Sequence, residues 1–274
     1  MKIDATRYTM FWQNPEKYRL REVWKLAPKE PKPGTFASLL TYGRRRGTCF
    51  HELMDGAYRK VDPLVTLQEL RDGGFGEKEI KAAQEMAAAV QERYKDEEVL
   101  AHEVLFESPI PNSPHSLVGR IDRIIRLDSG EVRVKDYKTS KHRTKTDTAY
   151  RGSEYCRGHQ VPFYLLGARA LGFEAQGFTY TLVSSGSNST GVSISEFPTS
   201  RSSLQLRAFE RDVHVTCELI GFMKERFGVE KPWPQLPGRF DSDYASILGC
   251  NMYDEYLPDG YEPKKEHLVL MEAK

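Results

Sequence analysis

Asp136 and Lys138 end a segment in which residues two apart share a face. The run Glu131–Lys138 sets Val132, Val134, Asp136 and Lys138 on one side of a strand, so an apolar face turns abruptly into an acid and a base. Unpaired charge on a core-facing side costs about 1–3 kcal/mol or more, so the pair needs each other, a metal ion or a cleft. Asp122 supplies a second carboxylate on the strand before. If the turn is the three-residue loop Asp128-Ser129-Gly130 with Gly130 left-handed, 127 pairs with 131 and Asp122 faces Asp136. A two-residue loop instead sets Asp122 opposite Tyr137, on the other face. Two facing carboxylates repel, and a divalent cation relieves the repulsion; hard oxygen donors of this kind suit Mg²⁺ or Mn²⁺. The chemistry open to such a set is hydrolysis at phosphorus, with a metal-activated water attacking while the metal and Lys138 neutralise the developing charge. The plain alternative is a solvated strand end, since charge runs usually lie on surfaces.

The elements that must position these groups change character along the chain. Residues 1–100 read as mostly helical, with Asn14-Pro15 as a helix start, a helix over Gly47–Lys60 carrying Phe50, Leu53, Met54 and Ala57 on one stripe, and an Ala-rich helix over Glu77–Lys95. Pro28–Gly34 reads as a loop. From residue 100 the period becomes that of strands: Val99–Phe106, then Leu117–Leu127 and Glu131–Lys138 as a hairpin. One helix follows and ends near Gly172, then strands Gly177–Val183 and Val192–Phe197, then a long helix Ser202–Phe227. The last 45 residues read as loops and short helices. The expectation is one unit over 1–274: a helical lobe (1–100), an α/β core (101–200), and a C-terminal helix with loops (201–274).

Gly119-Arg120-Ile121-Asp122, followed by Asp136-Tyr137-Lys138-Thr139-Ser140, resembles the core motif of the PD-(D/E)XK nuclease superfamily, and more narrowly that of RecB-type exonuclease domains and CRISPR adaptation nucleases. Those proteins also carry a histidine after a glycine on an upstream helix, matched here by Gly47-Thr48-Cys49-Phe50-His51. A Gln-x-x-x-Tyr motif follows on a later helix, matched by Gln160-Val161-Pro162-Phe163-Tyr164. Asp-x-Lys alone is weak; four motifs in order over 47–164 are specific. The resemblance implies a restriction-endonuclease-like core, a mixed sheet flanked by helices, joined to the helical lobe. It implies Asp122, Asp136, the carbonyl of Tyr137 and His51 as metal ligands, and Lys138 as the group that orients the water or the phosphate. It implies Gln160 and Tyr164, one turn apart, as catalytic-site contacts to DNA. Glu103 is a secondary candidate for orienting a ligand through water. Taken singly, His51 reads as a core or surface histidine, Tyr164 as packing and Gln160 as a helix-start residue. Pro162 either sits in the first turn or kinks the helix.

Many RecB-type relatives hold an iron–sulfur cluster on one early and three late cysteines. Here Asn14 stands where the early cysteine would be, and the late segment keeps only Cys250, so no cluster is expected. No GxxxxGK[ST] phosphate loop is present, so the chain reads as a stand-alone nuclease or one subunit of a machine.

Composition is that of a globular protein, 39% hydrophobic and 29% charged. The net charge of +1 argues against a passive, charge-driven nucleic-acid coat but not against a basic groove. Arg44, Arg45 and Arg46 before His51, and Lys141, His142, Arg143 and Lys145 after the catalytic strand, are candidate phosphate contacts. Trp12, Trp24 and Trp233 are candidates for packing or base stacking. Four scattered cysteines without a CxxC pair, and no leader-like start, lead us to expect a reducing, cytoplasmic setting. No apolar run approaches ~18 residues. The expected activity is an exonuclease on DNA ends or single strands in recombination, repair or phage replication, with a helicase, recombinase or single-strand-binding protein as partner. The alternatives are a structure-selective endonuclease and a non-catalytic DNA-binding subunit on the same fold.

Overall fold

A computed structural model describes residues 1–28, 36–141, 145–185, 191–228 and 231–233 and the backbone of 261–263; of 27–28, 36–41, 141 and 145 it describes the backbone alone. The element order is β1 (Lys2–Ile3), α1 (Ala5–Gln13), α2 (Pro15–Tyr18), a π-helical turn (Arg19–Val23), β2 (Leu26–Pro28), α3 (Phe36–Tyr58), α4 (Pro63–Asp72), α5 (Glu77–Arg93), β3 (Glu98–Pro109), β4 (Ser116–Arg126) and β5 (Val132–Lys141). Then come α6 (Lys145–Arg157), α7 (Gln160–Ala170), β6 (Gly177–Ser185), β7 (Ser193–Thr199), α8 (Ser203–Phe227) and β8 (Tyr261–Pro263). The main sheet is mixed and six-stranded, ordered β1-β4-β5-β6-β7 with β3 also paired to β4. Helices flank it, as the restriction-endonuclease-like expectation required.

The chain divides into two compact units. The first holds 1–31, 109–117 and 207–274; the second holds 32–108 and 118–206.

In the second unit, β5 runs parallel to β6 and antiparallel to β4, and β6 is antiparallel to β7. The β4–β5 register runs from Arg126↔Val132 to Arg123↔Lys135, with Leu127 donating to the Glu131 carbonyl at 2.9 Å. Gly130 takes φ +84°, as the three-residue loop demands. Tyr137 and Val183 point to one face of the sheet, into a core with Cys49, Phe50 and Met54 of α3 and Met86 and Val90 of α5. Phe178 and Tyr180 point to the other face, against Tyr164 of α7 and Tyr155 of α6, with centroids 6.2 and 5.3 Å apart. Covered on both faces, β6 is buried almost throughout, including the small polar side chains of Thr179, Thr181 and Ser184. The Tyr137 face also takes in a charge: Lys135, 1% exposed, donates to Glu97 at 2.6 Å, and its Nζ lies 3.3 Å from the Tyr94 ring centroid.

Three helix expectations are corrected. The helix bearing His51 begins at Phe36 and runs straight through Gly47, where a Cβ would sit 3.1 Å from Thr139 Oγ1. Ala57 is exposed and leaves the apolar stripe. The single helix expected to end near Gly172 is two, α6 and α7, and Pro162 lies in the first turn of the second, where no intrahelical N–H is needed. Helix α4, begun by the Asp62 cap on the Leu64 N–H with Pro63 in its first turn, was not resolved from the sequence as a separate element.

In the first unit, β1 pairs in parallel with Ser116 and Leu117 at the start of β4, and β2 pairs antiparallel with β8. Asn14 caps α2 by accepting from the Lys17 N–H at 3.0 Å with Pro15 behind it, as its sequence indicated. Trp233 is buried, stacked on Tyr18, and donates to the Gly228 carbonyl, while Trp12 donates to Thr216 Oγ1. Of the late segment, only 231–233 and 261–263 fall within the described residues.

Candidate active site

The site forms where β4 and β5 part. One step past Arg123↔Lys135, the Tyr137 N–H donates to the side chain of Asp122, with Oδ2 at 2.9 Å, so a carboxylate takes a backbone amide. The register then sets Asp122 opposite Asp136. Both are buried, at 9% and 1% exposure.

Asp136 is gripped from two sides. Gln160 Nε2, in the first turn of α7, donates to Oδ1 at 2.7 Å, and Lys138 Nζ lies 2.8 Å from Oδ2. Tyr180 donates its hydroxyl to Gln160 Oε1 at 3.3 Å, which fixes the amide's orientation. Burial raises the Asp136 pKa to about 6, with the facing Asp122 adding to the rise and Lys138 opposing it. For Lys138, burial favours the neutral amine, but Asp136 and Asp122 outweigh it and the net shift is upward. Its ammonium stays charged.

His51 of α3 completes the cluster. Its Nδ1 lies 3.6 Å from Glu103 Oε1 and 3.7 Å from Asp122 Oδ2. Burial pulls the imidazole pKa down, and Glu103, Asp122 and Asp136 more than reverse that. Glu103 sits on β3 at φ +45°, a left-handed conformation that costs a non-glycine residue of order 1–3 kcal/mol and that clusters at functional sites. Arg120, two residues before Asp122 on β4, holds the other Glu103 oxygen at 2.9 Å.

The donors suit a small divalent cation. Ligand atoms of His51, Glu103 and Asp122 lie within 4.8 Å of one another. The 3.6 and 3.7 Å separations are too long for hydrogen bonds and only slightly wider than the ~3.0–3.4 Å between adjacent ligands at ~2.1 Å bonds. A mixed oxygen and imidazole set with a buried acid beside it is chemistry for Mg²⁺ or Mn²⁺.

Tyr164 is half-buried one turn after Gln160, its ring edge-on to Phe106 at 6.0 Å. The Phe106 ring lies between two glycines. A Cβ on Gly119 would come within 2.8 Å of it, and a Cβ on Gly167 within 2.6 Å.

The arginine run divides. Arg44 is exposed. Arg45 pairs with Glu79 at 2.9 Å, donates to the Gly74 carbonyl and lies over Phe75. Arg46 is 3% exposed and donates to Ser185 Oγ at 3.0 Å. Of the three expected phosphate contacts, Arg44 is exposed, Arg45 is partly exposed and ion-paired, and Arg46 is buried. His142 and Arg143 lie outside the described residues, as do the side chains of Lys141 and Lys145. The thiols of Cys49 and Cys217 are free and buried, and burial pushes each up to about 11, so they act as small apolar groups. Cys156 is free and half-buried; Cys250 lies outside the described residues.

Sequence reasoning did not assign Arg120 a role, although it stands inside the Gly-Arg-Ile-Asp motif on the same strand face as Asp122. His102 also escaped it: 3% exposed, stacked on Tyr58 at 4.4 Å and 3.6 Å from Asp55. Burial lowers its pKa to about 4, so the ring is neutral.

The family model of the PD-(D/E)XK nuclease superfamily matches residues 3–227, and the chain belongs to that superfamily. Among curated proteins, none matches the sequence. Among solved structures, the chain is similar to SSO0001, at 12% identity and a TM-score of 0.31 over 66% of this chain and 87% of that one. It is similar to an alkaline exonuclease from Laribacter hongkongensis, at 13% identity and a TM-score of 0.34 over 52% of this chain and 71% of that one. A complex of that exonuclease with dAMP aligns at 14% identity and a TM-score of 0.27, over 68% of this chain and 95% of that one. No described helix is long and apolar enough to cross a membrane.

Proposed function

We propose that this protein is a metal-dependent DNA exonuclease acting on ends or single strands, in recombination, repair or phage replication. The observation that carries the reading is the meeting of Asp122, Asp136, Lys138, His51 and Glu103 where β4 and β5 part. Superfamily membership supports phosphodiester hydrolysis of DNA. The order His51, Asp122, Asp136-x-Lys138, Gln160-x-x-x-Tyr164, which resembles RecB-type domains, supports the exonuclease mode.

In this reading His51, Asp122, Asp136 and the Tyr137 carbonyl hold Mg²⁺ or Mn²⁺. When bound, such an ion would supply an acidified water and positive charge at the phosphate. Asp122 and Asp136 provide the negative field that holds a cation, and Gln160 fixes the rotamer of Asp136. Lys138, charged and paired with Asp136, orients the attacking water or holds a non-bridging phosphate oxygen as charge builds on it. Glu103, steadied by Arg120, keeps His51 in place. Tyr164 contacts DNA beside the site, and Arg44, Lys141 and Arg143 bind phosphates without reading sequence. A helicase, recombinase or single-strand-binding protein would present the substrate.

The test compares linear duplex, single-stranded and covalently closed circular DNA, with Mg²⁺ or Mn²⁺ and with chelator. Loss of linear and single-stranded substrate with intact circles is the expected outcome. Cut circles would make it an endonuclease, and binding without cleavage under every metal condition would make it a non-catalytic subunit.

A further inference from the structure

In the first unit, His115, His214 and Glu218 bring two imidazoles and a carboxylate together, with one ligand atom from each within 4.8 Å of the others. His214 and Glu218 stand four residues apart on α8, one turn above the other on a single face. His115 arrives from the segment before β4, and its Nε2 lies 2.7 Å from Glu218 Oε1. The two rings are 5.8 Å apart between centroids and inclined by only 34°.

Their other nitrogens are already engaged. His214 Nδ1 lies 2.8 Å from Ser113 Oγ, and His115 Nδ1 lies 2.8 Å from the amino group of Met1. A ligating imidazole binds through one nitrogen while an outer group holds the other, which fixes tautomer and ring direction. His214 Nδ1 has such a partner in Ser113; at His115 the Met1 ammonium is a donor, so Nδ1 accepts, and zinc binding at Nε2 must displace a proton from the Met1–His115 pair. His214 Nε2 has no hydrogen-bond partner among the described residues.

We propose that this cluster is a transition-metal site that takes Zn²⁺ rather than Mg²⁺, with His115, His214 and Glu218 as its protein ligands and a fourth position open to water. Two imidazoles and one carboxylate form a borderline donor set that zinc accepts in four-coordinate geometry, whereas Mg²⁺ favours a set in which oxygens outnumber nitrogens, as they do around Asp122 and Asp136. The ion ties the segment Ser113–His115 to α8 within the unit. It therefore stabilises the folded state in proportion to the logarithm of its concentration above Kd.

The test uses the full chain without a polyhistidine tag, carrying Asp122→Asn and Asp136→Asn so that the nuclease carboxylates contribute no bound ion. We expect one zinc per chain by elemental analysis after dialysis against micromolar ZnCl₂. Zinc at a hundredfold excess over Kd should raise Tm by about 5 °C, while millimolar Mg²⁺ leaves it unchanged. His115→Ala and His214→Ala should each weaken zinc binding about 100-fold or more, and Glu218→Gln less, with the metal-free Tm measured for every variant. If His214→Ala lowers the metal-free Tm, His214→Gln replaces it. Co²⁺ should give visible absorption bands that His214→Ala removes. Absence of retained zinc, or wild-type zinc affinity in the His214 variant, overturns the assignment.

Discussion

Gln160 donates its side-chain amide to Asp136 Oδ1 across 2.7 Å, so the first turn of α7 aims the carboxylate at the end of β5. A group that holds a metal ligand from behind acts on affinity more than on chemistry. Gln160→Ala should lower apparent metal affinity about 10–100-fold in cleavage assays titrated with Mn²⁺, and saturating Mn²⁺ should restore most of the rate. A rate loss that no metal concentration recovers would contradict this role.

Asp122→Ala, Asp136→Ala and Lys138→Ala should each reduce cleavage of linear DNA by roughly 10²–10⁴-fold, because the first two remove carboxylates that would hold the metal and the third removes the cation that meets the phosphate or the water. DNA binding in Ca²⁺ should persist in the lysine variant, which separates binding from turnover. Wild-type rates for Lys138→Ala would remove that lysine from the mechanism.

Burial raises the Asp136 pKa to about 6 in the metal-free protein, well above the ordinary aspartate value of the unfolded chain. The folded state therefore takes up this proton first as pH falls. The burial penalty is present above pH 6 and fades between about 6 and 4, so metal-free stability should rise over that interval by of order 1–3 kcal/mol from this group. Asp136→Asn should match or exceed the wild-type Tm at pH 7.5 without metal, and the advantage should vanish near pH 4.5. A wild-type Tm that falls between pH 7.5 and 5.5 while that of Asp136→Asn holds steady would reverse the sign.

The arginine run gives a prediction that separates two neighbours. Arg44→Gln should lower the salt slope of DNA binding by about one unit and leave Tm unchanged, because the side chain is exposed. Arg46→Gln should lower Tm, because its guanidinium is buried against Ser185. Equal salt slopes for wild type and Arg44→Gln would take Arg44 out of the binding surface.

Gly119→Ala and Gly167→Ala should each destabilise the fold by about 1–3 kcal/mol, since a methyl at either position meets the Phe106 ring below 3.0 Å. Phe106→Leu should offset part of the loss in a double-mutant cycle followed by chemical denaturation. Purely additive effects would show that the ring is not what the glycines accommodate.

The hairpin and its two aspartates were legible in the sequence because local rules decide them. Period-2 alternation gives the face, and a glycine that must be left-handed gives the register. What stayed hidden depends on contacts distant in sequence. Gly47 looked like a helix start, yet α3 runs through it, with Thr139 of β5 close by on the facing strand. Arg45 and Arg46 looked like Arg44 until Glu79 and Ser185 claimed them. The pairing of Glu103 with His51 and Arg120 depends on a left-handed residue inside β3, which no propensity for glutamate would suggest.

Phe106 carries no charge, yet its ring works as a shim. Wedged between Gly119 on β4 and Gly167 on α7, it sets how far the helix bearing Gln160 and Tyr164 stands from the strand bearing Asp122. The spacing between Asp122 and Gln160 is thereby set at an uncharged position. A library varied only at 106, 119 and 167 would change that spacing while every acid and base of the cluster stayed as it is.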